Sequence, residues 1–226
     1  PARALAAGEI RNTNAVFLRA RLPAAGAALV HYETVADEPG AFSAALQRAV
    51  EAGVDIVVST GAVSMGRYDF VPQVLEAAHA RTFFHKVAMR PGKPVLFARL
   101  QAGQLFFGLP GNPVSSVVGL RFFVETALRV MLGLPAEQGW RVPLLHEVAK
   151  KPGFRLHQKA RLRLAPDARL GVELLQGQES FRTRPLLDST VWAALPAEAA
   201  HLPPGTFIDV FALAHEGGIT LGALSA

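Results

Sequence analysis

Apolar positions in the first 132 residues follow two periods in turn. Val16, Phe17 and Leu18 open a helical face after the cap residues Asn12-Thr13-Asn14, and Pro23 and Gly26 end or bend it. Ala28-Leu29-Val30-His31-Tyr32 predicts a short strand. Asp37-Glu38-Pro39 reads as a helix start, with acids at the positive end and Pro in the first turn. Phe42, Leu46, Ala49 and Val50 keep helical spacing up to Gly53. Residues 54–59 are apolar on both faces, the pattern of a central parallel strand. Tyr68 to Ala78 predicts a helix with Val71, Val74, Leu75 and Ala78 on one face. Thr82 to Val87 and Val95 to Leu100 predict strands, and Gln101-Ala102-Gly103-Gln104 a hairpin into Leu105-Phe106-Phe107-Gly108. Pro113 to Leu132 predicts a helix buried along Val117, Leu120, Val124 and Leu128. The Phe residues at 83, 84, 106, 107, 122 and 123 fit sheet and helix core.

Near Leu134-Pro135 the pattern changes. From Trp140 helical periodicity stops, and short segments at 161–164, 171–175, 191–195 and 207–211 are parted by Pro and Gly. The expected fold class is therefore α/β: a three-layer α/β/α sandwich over residues 1–134, then a small all-β domain over 135–226. The tail after Ala214 is Gly-rich and expected to be loose.

Composition narrows the function classes. Half of the 226 residues are hydrophobic and 18% are charged, which excludes a disordered chain. Cys is absent, which excludes disulfides and thiolate metal sites and agrees with a cytoplasmic setting. No apolar run reaches the ~18 residues of a membrane span, and no signal-peptide core follows the first residues. The net charge of +5 favours small anionic partners. No Lys/Arg tract is interleaved with aromatics, so nucleic acid is not expected as a partner.

Candidate chemistry gathers between Asp55 and Pro113 in three loops at strand ends. The first is Thr60-Gly61-Ala62-Val63-Ser64-Met65-Gly66-Arg67-Tyr68-Asp69, the second Arg90-Pro91-Gly92-Lys93-Pro94, and the third Gly108-Leu109-Pro110-Gly111-Asn112-Pro113. A small-residue turn between a strand and a helix offers backbone N–H groups to an anion. Lys93 adds a mobile cation, and Asp69 a carboxylate that can hold a metal or orient a nucleophile. Plainer roles stand beside these. Asp69 and Asp37 suit helix starts, Asn112 suits an N-cap, Lys93 suits a surface turn, and Gly61, Gly66 and Ser64 suit the turn itself. His31, His79 and His85 have no metal-ligand spacing.

Four segments in order resemble the MoeA family of molybdopterin molybdenumtransferases, related to the E domain of gephyrin. They are Gly8-Glu9-Ile10-Arg11-Asn12-Thr13-Asn14, the Gly61 turn through Tyr68-Asp69, the Arg90–Pro94 loop, and Gly108 through Val114-Ser115. The resemblance is strong over residues 8–132 and weaker in the β module. It implies insertion of molybdate into adenylylated molybdopterin with release of AMP, helped by Mg²⁺, in a homodimer. On that reading Asp69, Lys93 and Asp37 are catalytic, and Asp69 and Asp37 hold the metal. Gly61, Ala62, Ser64, Gly66, Arg90, Pro110, Gly111, Asn112, Ser115 and Ser180 bind the pterin nucleotide.

Departures from the family pattern are specific. Ala62 stands where the family has a second Gly, at a cost of roughly 1 kcal/mol if the position needs positive φ. Arg67 stands where an acid is common, and Arg90 where Lys opens the second loop. Ser180 matches, Arg184-Pro185 stand where Ser residues are usual, and an Arg of the module maps to Arg155 only ambiguously. The resemblance also expects two further domains and a first strand ahead of Gly8. Alternative readings are a non-catalytic molybdopterin-binding scaffold and a related adenylyltransferase or CinA-like enzyme.

Overall fold

The computed structural model describes residues 5–6, 10–63, 69–164 and 169–215. Asn12 Oδ1 accepts the Ala15 N–H at 3.0 Å and starts α1 (Thr13–Ala24), with Pro23 in its last turn. α2 (Pro39–Glu51) begins on its Pro and ends where the Gly53 N–H donates to the Val50 carbonyl at 3.0 Å. There follow β1 (Ile56–Thr60), α3 (Val71–Ala77), β2 (Arg81–His85), β3 (Met89–Arg90), β4 (Leu96–Arg99) and β5 (Leu105–Leu109). α4 (Pro113–Gly119) runs through a π turn (Leu120–Val124) into α5 (Glu125–Met131). The π turn adds a residue to one turn and shifts the helical phase. Val114 and Val118 are therefore buried ahead of it, and the expected Val117 is only half-buried.

The first sheet has the order β1-β5-β4-β2, with β1 and β5 parallel and the other pairs antiparallel. Its residues alternate between two helical layers. Phe106, Leu96 and Ala98 pack with Leu46, Val71 and Leu75 of α2 and α3. Phe107 and Leu109 pack with Leu18, Val114 and Val118 of α1 and α4. This is the expected three-layer sandwich.

Three expectations for this half are corrected. Ala28–Tyr32 forms no strand, because it joins no backbone ladder and leaves Leu29, Val30 and Tyr32 exposed. Side chains fix the segment instead: Arg48 donates to Glu33 at 2.6 Å, and the Arg19 guanidinium lies 5.0 Å from the Tyr32 ring centre. Among the described residues β1 lies at the edge of the sheet and is half-buried at every position, where the sequence predicts a central strand. Phe83 is 48% exposed on the edge strand β2, stacked on Phe97 at 5.1 Å.

The second half holds β6 (Trp140–Pro143), β7 (Val148–Ala149), β8 (Arg155–Leu164), β9 (Leu170–Leu174), β10 (Val191–Leu195), β11 (His201–Leu202) and β12 (Phe207–Ala212). Its main sheet has the order β3-β8-β10-β12-β6, with β9 also on β8. β3 belongs to the first half of the chain, so the two halves share a ladder. One face of β8 and β10, with Ala160, Leu162, Val191 and Ala193, forms the module core. On the other face Trp192 joins the core of the first half, and Phe122 packs against His157 at 4.2 Å. Buried Arg121 ties the halves further, donating to the Ala212 carbonyl at 3.0 Å and to Glu137 at 2.6 Å.

Candidate functional site

The turns after β1 and β5 lie side by side because those strands are parallel neighbours. The Gly61 N–H donates to the Leu109 carbonyl at 2.9 Å. Any Cβ at Gly108 would stand 2.7 Å from Val63 Cγ1, so only glycine lets the two loops approach. Ala62 adopts φ 53°, in the left-handed region that glycine occupies without strain. Ser64 and Gly66 lie outside the described residues, as do Arg67 and Tyr68. Asp69 stands just ahead of Phe70, the N-cap of α3.

The third loop is pinned from several directions. Ser116 Oγ donates to the Pro110 carbonyl, and Asn14 Nδ2 donates to the Gly111 carbonyl at 2.8 Å. Asn112 occupies the N-cap of α4 but makes no capping bond. Its Nδ2 instead donates to Ser180 Oγ at 3.1 Å. The Ser180 carbonyl accepts the Val114 N–H at 3.0 Å, so the β module satisfies one of the free donors of the helix start. The capping role expected of Asn112 is thus replaced by a contact across the two halves.

The second loop is stitched to the head of β8. Met89 and Arg90 pair with Arg155 and Leu156, and the Arg155 N–H donates to the Ala88 carbonyl at 2.9 Å. Gly92 turns at φ +102°, and a Cβ there would stand 2.8 Å from Met89 Cε. Arg90 and Lys93 are both exposed; Arg90 Cζ lies 4.4 Å and Lys93 Nζ 5.6 Å from the centre of the Phe154 ring. Ser115 is buried where the Gly92 turn meets α4. Arg155 directs its guanidinium to Asp209 at 3.4 Å.

Lys159, also on β8, is 1% exposed. Its ammonium donates to the carbonyls of Gly177 at 2.6 Å, Arg182 at 3.0 Å and Glu179 at 3.4 Å. Burial pushes its pKa below the usual lysine value. Gln178 completes the clamp, accepting the Lys159 N–H at 2.9 Å and donating to the Lys159 carbonyl at 2.8 Å. The loop carrying Ser180 is thereby fixed to the strand that also receives Arg90. Beside it, burial and the charges of Arg155 and Arg121 push the His157 imidazole down to about 3, so this ring is neutral.

Residues 3–130 match the family described as "Probable molybdopterin binding domain". The chain belongs to this family. It is 38% identical over 207 residues to a molybdopterin molybdenumtransferase of Synechococcus elongatus, covering 91% of this chain and 50% of the relative. A molybdopterin molybdenumtransferase of Bacillus subtilis is 30% identical over 220 residues, covering 93% and 49%. The chain thus spans about half the length of these curated relatives. The solved MoeA protein of Pyrococcus horikoshii shares the fold, with a TM-score of 0.74 at 22% identity over 94% of this chain and 51% of that one.

The geometry brings together Gly61, Ala62, Pro110, Gly111, Asn112 and Ser180 in one group, and Arg90, Lys93 and Ser115 around the adjoining Gly92 turn. Asp37 lies just ahead of α2, and no hydrogen bond or ion pair joins it to the others among the described residues. No three His, Asp or Glu side chains gather into a metal-binding group among the described residues. Among the described residues, Asp69 and Asp37 belong to no such group. A cavity of about 210 Å³ near Ala24, Glu125, Arg129 and His215 holds none of the candidate residues. No helix among the described residues is long and apolar enough to cross a membrane. Sequence reasoning missed Phe154 and Lys159; the only signal for Lys159 was a lone Lys on a strand whose neighbours alternate in and out.

Proposed function

We propose that the chain supplies the ligand-binding part of a molybdopterin molybdenumtransferase, which inserts molybdate into adenylylated molybdopterin and releases AMP. The observation that carries this reading is the bond from Asn112 to Ser180, which closes a loop of the molybdopterin-binding fold with a residue from the β module. Arg90 and Lys93 neutralise phosphate or molybdate oxygens, as exposed cations suit. The turns at Gly61, Ala62 and Gly111, with Ser64, Gly66, Pro110, Ser115 and Ser180, hold the pterin nucleotide. Asp69, with Asp37, orients water for cleavage of the anhydride. Mg²⁺ commonly takes one or two carboxylates and completes its shell with phosphate and water. Such an ion would draw most of its ligands from the substrate here. A homodimer, a cytoplasmic location and a domain boundary near Leu134-Pro135 belong to the same proposal.

The test is AMP release and molybdenum incorporation from adenylylated molybdopterin, molybdate and Mg²⁺, with Asp69→Asn and Lys93→Ala beside the parent. The expected result is at least a tenfold loss of turnover in both variants. Turnover equal to the parent in both would overturn the assignment. A scaffold reading has one observation in its favour, the non-glycine Ala62 at positive φ in the turn. Tight pterin binding with no turnover in the parent would favour it.

A further inference from the structure

Phe154 has no place in any hydrophobic core of the protein. It is half-buried, and it belongs to none of the three clusters around which the chain packs. Yet its backbone is among the more firmly held in the module. Lys150 Nζ donates to the Phe154 carbonyl and to the Ala197 carbonyl, both at 3.2 Å. The preceding Gly153 N–H donates to Ala197 at 2.8 Å, and the following Arg155 N–H donates to Ala88 at 2.9 Å. An aromatic ring outside the core, held this firmly, has its function at its face.

Two cations lie over that ring, Arg90 at 4.4 Å and Lys93 at 5.6 Å from its centre. Elsewhere among the described residues, Arg19, Arg81 and Arg121 each lie alone over their rings. Arg90 and Lys93 are like charges three positions apart in an exposed turn, and their repulsion favours splaying into solvent. An aromatic quadrupole attracts both and offsets that tendency. We propose that Phe154 is a positioning residue of the anion site: its ring gathers Arg90 and Lys93 so that the two cations act together on one oxyanion. The proposal rests on the function assigned above, and it makes the charge geometry of the first half depend on a side chain of the second.

The test uses the full chain with Phe154→Leu, which keeps apolar bulk without the ring, and Phe154→Trp, which keeps a ring. Molybdate and AMP are the probes, titrated calorimetrically at low ionic strength. The Leu variant is expected to bind molybdate about 3- to 10-fold more weakly, and Trp within about twofold of the parent. In a Lys93→Ala background the Leu effect shrinks below about twofold, because one of the gathered charges is gone. Parent-like binding by the Leu variant, or an equal loss in both backgrounds, would overturn the proposal. A ligand-free readout separates it from the functional assignment. Ring-current shifts on the Arg90 δ and Lys93 ε protons should be upfield in the parent and vanish in the Leu variant. Shifts without binding of either probe would contradict the molybdenumtransferase assignment and uphold the gathering; missing shifts in the parent sink the gathering.

Discussion

Lys93 and Lys159 show how differently the two halves of the chain contribute. Lys93 is exposed, stands in a Pro-Gly turn, and lies over the Phe154 ring. Lys159 is sealed in a sheet face and spends its three donors on the carbonyls of a single loop. The first half presents its candidate residues on turns at strand ends, where Arg90 and Lys93 are exposed. The second half holds those turns in place, through β8, the Ser180 loop and the Phe154 ring. A site shared in this way needs the module for geometry even where the module never touches the ligand.

The largest expected effect lies at His157, at the junction of the halves. Its pKa is about 3 in the folded protein, below the ordinary 6.5. The unfolded chain therefore binds a proton that the fold refuses, so stability is full above about pH 6.5 and falls as the pH drops toward 3. The loss by pH 4 is on the order of 3 kcal/mol, read as the shift of the urea midpoint with pH. His157→Phe should flatten that slope, since nothing remains there to titrate. Next in size is Lys159→Met, which strands three carbonyls and should cost about 2 kcal/mol in urea unfolding. It should also speed amide exchange between residues 177 and 182. Ala62→Gly relieves a left-handed alanine and should raise stability by about 1 kcal/mol, read from the same urea curves. The smallest effect belongs to Lys93→Met, within about 0.5 kcal/mol of the parent by the same urea curves. That near-silence, beside loss of turnover, would mark Lys93 as chemistry and Lys159 as support.

The legible part of the sequence was the part whose local chemistry repeats in space. Helical spacing located α2 and α3, and the Gly103 hairpin placed β4 beside β5. The three loops were legible because Gly, Pro and Asn there answer to backbone geometry, as Gly61, Gly92 and Gly108 confirm. Ala28–Tyr32 misled because strand propensity says nothing about whether a partner edge is reached. Val117 misled because a π turn leaves no mark in a 3.6-residue pattern. Phe154 left no mark in the sequence, and Lys159 only that of a lone Lys on an alternating strand. The place of Phe154 comes from pairing β3 with β8, and that of Lys159 from the 177–182 loop folding back over β8, long-range contacts between residues that share no motif.

The central claim is that Ser180 of the β module completes the loop that begins at Gly108. A double-mutant cycle on Asn112→Ala and Ser180→Ala, read in kcat/KM for AMP release, tests it most directly. If the two side chains act through the 3.1 Å bond between them, the double variant should be no worse than the poorer single one. That corresponds to a coupling of about 1 kcal/mol or more, roughly fivefold in rate. Losses that simply multiply would mean the two residues work independently, and that the module does not complete the site.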